Sequence, residues 1–313
     1  MKKIKTGWLL LRDTFSAFSA DKVPKISAAL SYFTIFSIAP MLVVVIGLCS
    51  IFYGREAIEG EIFGMIKNYV GADTATQIQG ALIKTTLNYN NIWATILGGL
   101  TLLLGATGIF GEIQDSINFI WGLKTKPKRG WVKMIINRVL SFSMILVLGF
   151  VLMVSLMLNA LLGMFLDRLN NNIPNSLLQA MYYIDHLIMF ATIMILFACI
   201  FKVLPDAKIK WRDVFAGAFV TSLLFIGGKF LIGLYLKNNI TITAYGAAGS
   251  VIVLMVWVYF SAMILYFGAE FTQVYAKYRG RRIEPNKYAV FVENHDVEKP
   301  TSSGVNKKHG TSI

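Results

Sequence analysis

The stretch YGAAGSVIVLMVWVYFSAMILYFGAEFTQVY, residues 245–275, carries one charged side chain, Glu270, in 31 positions. About 20 mostly apolar residues cross the hydrocarbon of a bilayer as a helix, so this segment reads as a membrane span with a carboxyl near one end. Working outward, five more stretches of the same kind follow from the sequence: Ser27 to Tyr53, Ile92 to Phe110, Ile135 to Phe165, Ser176 to Val203, and Val214 to Leu236. Polar or charged breaks separate them. The third is longer than about 30 Å of hydrocarbon requires and is expected to tilt, bend or protrude. The whole chain agrees: 313 residues at 56% hydrophobic, 15% charged and a mean hydropathy of +0.60 exclude a water-soluble domain. The expected fold class is all-α, a polytopic membrane protein with six transmembrane helices and amphipathic helices at both interfaces.

The net charge of +13 comes from 30 Lys plus Arg against 17 Asp plus Glu. Basic residues favour the cytoplasmic side of a membrane protein. The N-terminal arm, the second and fourth connections and the C-terminal tail hold 23 of them, from Lys2 through Lys124 and Lys208 to Lys308. The opposite side has five: Arg55, Lys67, Lys84, Arg168 and Lys237. Both termini are therefore predicted to be cytoplasmic, and the charge needs no nucleic-acid partner. Arg138 and Lys229 fall inside spans.

Three further regions complete the layout. Residues 1–26 form a basic arm in which Trp8, Leu11, Phe15 and Phe18 recur at helical spacing, as in a helix lying on a membrane surface; a short arm that only sets topology is an equal alternative. The six-span domain covers residues 27–280. Within it the connection 54–91 is too long for a structureless loop, and the spacing of Ile58, Ile62, Met65, Ile66, Tyr69 and Val70 predicts an extracytoplasmic helical hairpin. Residues 281–313 are polar and are expected to form a disordered cytoplasmic tail.

Several chemistries have no footing here. The two cysteines, Cys49 and Cys199, lie in apolar runs, which excludes a disulfide framework and a CxxC redox motif. There is no GxxxxGK[ST] loop and no HExxH or GxSxG motif. His295 and His309 sit in the polar tail, too far from His186 to make a metal site. The sequence thus predicts no catalytic residues, no metal, no cofactor and no enzymatic role.

Ionisable groups at membrane depth are costly and mark candidate sites. Asp185 and His186 in the fourth span and Lys229 in the fifth lie at matching depths below the outer surface, and a Lys229–Asp185 pair with His186 as a third member would form a polar site open outward. A static pair locking the two helices explains the same residues equally well. Ser27, Ser31, Tyr32, Thr34 and Ser37 make a polar stripe on the first span that is expected to face the interior; Ser31, Tyr32 and Ser37 are the substrate-path candidates on it. At the cytoplasmic end, Glu112, Asp115 and Asn118 share one helical face opposite Phe110, Ile113, Ile117, Ile120 and Trp121. Together with Arg138 and Glu270 they are the candidate cytoplasmic gate, with simple helix-locking ion pairs as the plainer account. Gly105, Gly108 and Gly111 line a groove on the second span, and Gly217, Gly227, Gly228 and Gly233 repeat the theme on the fifth. Close helix packing is the plain explanation.

Four motifs in order carry a family resemblance: Ala28-Ala29-Leu30-Ser31-Tyr32-Phe33-Thr34 through Pro40; Leu104-Gly105-Ala106-Thr107-Gly108 to Gln114-Asp115-Ser116-Ile117-Asn118-Phe119-Ile120-Trp121; Leu204-Pro205-Asp206 with Trp211; and Tyr245-Gly246-Ala247-Ala248-Gly249-Ser250 through Trp257 to Gly268-Ala269-Glu270-Phe271. Over residues 5–280 the chain resembles the bacterial YihY/BrkB family. The resemblance implies a six-span, multi-pass protein of the bacterial inner membrane, of a family associated with envelope integrity and proposed lipid export. It also brings an old ribonuclease BN label, for which these residues supply no ligand set.

The expected function is transport of an amphipathic substrate, a lipid or lipid-linked envelope precursor, with membrane lipids as the partner. A scaffold docking envelope proteins is the alternative. A membrane nuclease, the third reading, would require Glu112, Asp115 and Glu270 to converge on a divalent ion.

Overall fold

A computed structural model describes residues 2–53, 105, 108–125, 175–238, 247–286 and 289–292, with scattered positions between 59 and 80 and between 139 and 157. The described chain is mostly helical. Helix α1 spans Lys2–Ala20, α2 Val23–Tyr53, α3 residues 108–120, α4 Asn175–Val203, α5 Trp211–Asn238 and α6 Ala247–Tyr278. Among the described residues three windows are long and apolar enough to cross a membrane, His186–Val203, Trp211–Ile232 and Val251–Tyr278, and Val23–Ile38 is a shorter apolar helix. These overlap the fourth, fifth, sixth and first expected spans respectively. Most of the second and third spans and of the hairpin 54–91 falls outside the described residues. Large apolar side chains remain on the outer surface, with Phe230 at 68%, Leu187 at 65% and Phe36 at 64% exposure. That is the surface a bilayer solvates.

Helix α5 packs antiparallel on α6 through a reciprocal fit. A Cβ on Gly217 would fall on the Thr272 hydroxyl, and a Cβ on Gly268 would fall on the Thr221 hydroxyl. Both threonines turn their hydroxyls back onto their own helix, Thr221 donating to Gly217 O and Thr272 to Gly268 O, each at 2.7 Å. Each helix therefore presents a glycine four residues before a threonine, and each threonine hydroxyl fills the gap at the other helix's glycine. Phe201 of α4 closes the same contact, 3.0 Å from where a Gly268 Cβ would stand.

Helix α1 is continuous, so the basic arm is helical. Leu10 and Thr14 are buried on its packed face, whereas Trp8, Leu11 and Phe15 stay exposed in the apolar row read from the sequence. Asp21 and Lys22 turn the chain into α2, with Lys22 at φ 52°.

The all-α expectation misses a collar of short strands at one end of the bundle. Strand β1, Leu123–Thr125, pairs antiparallel with β4, Ala289–Phe291; β2, Ala207–Lys208, pairs with β3, Glu284–Pro285. Residues 281–286 and 289–292, read from sequence as part of the tail, are thus tied to the bundle. Two glycines make this possible. Gly280, at φ 66°, ends α6 with Arg281 N donating to Ala276 O and Gly280 N to Lys277 O, a glycine-dependent cap. Gly122, also at φ 66°, ends the α3 segment and accepts from Val292 N at 2.9 Å. The cap aims Arg281 at Asp213, buried in the first turn of α5, with a 2.7 Å contact between them.

The interlock predicts an asymmetric response to glycine substitution. Gly268→Val should lower unfolding stability by about 1–3 kcal/mol through overpacking, while Gly111→Ala, where an added Cβ meets nothing within 4 Å, should not destabilise. Denaturant unfolding in micelles followed by circular dichroism checks both.

Candidate functional site

The polar stripe of α2 faces inward as expected at four of its five positions. Ser27, Ser31, Thr34 and Ser37 are buried along the seam with α6 and α3. Ser31 Oγ donates to Met255 O at 3.1 Å, fixing the register of the antiparallel α2–α6 pair, and Gly108 of α3 leaves room for Ser37. Tyr32 departs from the expectation. It is 55% exposed and meets Phe33 edge-on and Phe36 at a tilt on the outer side, at ring distances of 5.9 and 5.1 Å. One residue after Ser31 the helix has turned by about 100°, so the two cannot share a narrow stripe.

Further along the same seam, Glu270 is wholly buried, and neither carboxyl oxygen has a hydrogen-bond partner among the described residues. Tyr266, one turn earlier, is equally buried with its hydroxyl unpartnered, and the hydroxyls of Ser27 and Ser261 are in the same condition. Asp21, in the α1–α2 turn, and Lys277 are close enough to act electrostatically on Glu270, and the Asp21 carboxyl lies within side-chain reach of it. Ser116 and Glu112 of α3 face the Tyr266 phenol. Two gate candidates, Glu112 and Glu270, are therefore brought to one cluster through Tyr266.

Asn118 is not part of that cluster. It is buried in a clasp with Asp206: its Nδ2 donates to Asp206 Oδ2 at 2.9 Å, and Asp206 N donates to Asn118 Oδ1 at 2.8 Å. Gln114 Nε2 reaches Asp206 Oδ1 at 3.4 Å, and Asp206 O accepts from Asn286 N at 2.8 Å. Asn118 thus meets a loop acid and not the acids of its own helix face; a wheel shows which residues align but not which neighbouring loop supplies a partner. Asp115, by contrast, is exposed. The apolar face did form, with Phe110, Ile113, Ile117, Ile120 and Trp121 buried. Trp121 Nε1 donates to Ala269 O at 3.1 Å and Gln273 Nε2 to Ile120 O at 3.2 Å, so α3 is pinned beside Glu270 from both sides.

Arg138 and the side chain of Asp185 lie outside the described residues, and with them the pairs Arg138–Glu270 and Lys229–Asp185. His186 is exposed and Lys229 half-buried. Glu112, Asp115 and Glu270 do not form a metal-ligand group, and no cluster of three or more His, Cys, Asp or Glu able to hold a metal occurs among the described residues.

An apolar groove of about 640 Å³ opens on the flank of the bundle between α1, α5 and α6. Phe18, Gly227, Gly228, Leu231, Ile264 and Phe267 contribute to its lining. The α1 side is closed by Phe18 against Phe267 at a ring distance of 5.9 Å. Sequence reading noticed Gly227 and Gly228 but not the groove, because its walls come from three helices. Asp206, Gln114 and Tyr266 also went unassigned as site residues, although the first two stand inside motifs of the family resemblance.

These apolar spans, packed around a buried polar seam and tied by a collar, define a helical integral membrane protein. The chain belongs to the family described as virulence factor BrkB, whose model matches residues 14–290. It is similar to proteins named UPF0761 membrane protein: 29% identical to that of Tolumonas auensis over 84% of this chain and 83% of the relative, 26% to that of Vibrio atlanticus over 98% and 94%, and 30% to that of Photobacterium profundum over 80% and 76%. No solved structure matches.

The clasp and Glu112 yield two predictions. Asn118→Ala removes the partners of Asp206 Oδ2 and of its buried amide and should cost about 1–3 kcal/mol of stability, read by denaturant unfolding. Burial, and then neighbouring Asp115, raises the Glu112 carboxyl above its ordinary value. A raised folded-state value means stability present at acid pH is lost as pH rises through it. Glu112→Gln should therefore raise the unfolding midpoint at neutral pH, the gain vanishing below the ordinary carboxylate range.

Proposed function

We propose that this protein is a six-span, multi-pass protein of the bacterial inner membrane, with both termini cytoplasmic, that moves a lipid or lipid-linked envelope precursor across or out of the bilayer. The observation that carries the reading is the apolar groove on the bundle flank, long enough in helix terms to reach from Phe18 to Leu231 and lined almost entirely by hydrocarbon. A groove of this lining accepts acyl chains and gives a water-soluble solute nothing to bind. The buried hydroxyls and Glu270 on the other face of α6 provide the polar environment that a head group or a coupled ion requires. Lys229, half-buried one residue beyond Gly228, is the head-group contact in this scheme. The role is transport without catalysis, and the polar seam needs no cofactor to serve it.

A Cβ on Gly227 meets nothing within 4 Å, so Gly227→Trp should fill the groove while leaving the helix packing intact. Vesicles containing the folded wild-type protein should expose a head-group-labelled phospholipid to an impermeant quencher faster than empty vesicles. Gly227→Trp should abolish that acceleration with its unfolding midpoint retained. Equal rates for empty, wild-type and variant vesicles would reject lipid movement.

A further inference from the structure

Glu270 stands apart from the other acids of the described chain. Asp206 is held by Asn118 and Gln114, and Asp213 by Arg281. Glu270 is fully buried and receives no donor. An ionised carboxylate deprived of both water and hydrogen bonds is strongly penalised, so this packed arrangement holds Glu270 as the neutral acid.

Tyr266 lies four residues before Glu270, about 6 Å along α6 and about 40° round it, so the two share one face of the helix. The Tyr266 hydroxyl is buried and unpartnered among the described residues. A hydroxyl can both donate and accept, so it can pass a proton on where a second carboxylate would strand charge.

The charged groups facing this position are few. Asp21 acts on Glu270 from the α1–α2 turn, Lys277 from the end of α6, and Glu112 acts on Tyr266 from α3. Lys277 is exposed, two turns beyond Glu270. Ionising Glu270 would set a second negative charge against Asp21. Three residues before Asp21 is Phe18, which closes the apolar groove against Phe267.

We infer that Glu270 is a proton-binding site beside the Tyr266 hydroxyl, and that loss of its proton repels the Asp21 turn and withdraws Phe18 from the groove. In the step, the carboxyl O–H bond breaks with its electron pair staying on Glu270, and the proton passes to water admitted at the collar. The carboxylate is tolerated only in the separated arrangement. Proton binding therefore biases the two arrangements by differential affinity, as any ligand must. The coupling to lipid movement rests on the transport reading above; the proton site does not.

The test uses the full chain in phosphatidylethanolamine and phosphatidylglycerol vesicles. Infrared spectra at neutral pH should show a protonated carboxyl band that shifts in heavy water and is missing from Glu270→Gln, a neutral near-isostere expected to fold. No band lost between wild type and variant overturns the site. Lipid movement by the wild type should respond to an imposed pH gradient, with the response lost in Glu270→Gln and weakened in Asp21→Asn. A response to a sodium gradient with none to pH would overturn the assignment in favour of a metal cation. If the band behaves as stated but no vesicle shows lipid movement, the proton site stands and the transport reading fails.

Discussion

The close approach of α5 and α6 constrains everything around it. Gly217 and Gly268 remove the side chains that would hold the helices apart, and Thr272 and Thr221 occupy the vacated space. In a bilayer there is no hydrophobic gain in joining two apolar helices, so close van der Waals contact and satisfied hydroxyls must supply the association. Because each threonine already bonds its own helix, the interface needs no cross-helix polar partner and can stay dry. Toward the other end of the same pair the fit loosens. Gly228 still meets Ile264, whereas Gly227 faces open space, and there the groove begins.

The collar does a different job. Helix ends leave carbonyls and amides unpaired, and at a membrane surface loops must satisfy them. Here the ends of α3, α4 and α6 and the start of α5 are bound by two small sheets, by the Asn118–Asp206 clasp and by Arg281–Asp213. Asp206 is the most connected of these groups, since its side chain and both of its backbone polar atoms are engaged. Lys202 adds to it by donating to Ile209 O at 2.6 Å and lying over Trp211.

Against this background of satisfied polar groups, the α2–α6 seam is the exception. The Ser27 and Tyr266 hydroxyls and the Glu270 carboxyl are buried there without the partners that the collar groups possess. Such groups reduce stability and persist where function requires them. The groove and the seam lie on different faces of α6 and meet at its collar end, where Phe18 and Asp21 are three residues apart. That arrangement is the basis for linking a proton to a lipid-facing opening.

Much of the architecture was legible from the order of residues. An apolar run with a single acid at residues 245–275 can be solvated only by lipid, and a buried face recurring as Phe110, Ile113, Ile117, Ile120 and Trp121 must point inward, because both follow from local composition and helical period. The inward serines of α2 were legible for the same reason, although the period was applied too broadly to include Tyr32. Partners were not legible. Asn118 meets Asp206 across 88 residues of chain, Gly217 meets Thr272 across 55, and the strands at 123–125 find theirs at 289–291. Sequence determined which residues leave water; only the tertiary structure decided which of them receive a partner, because pairing depends on helix register and crossing distance, which no local pattern encodes.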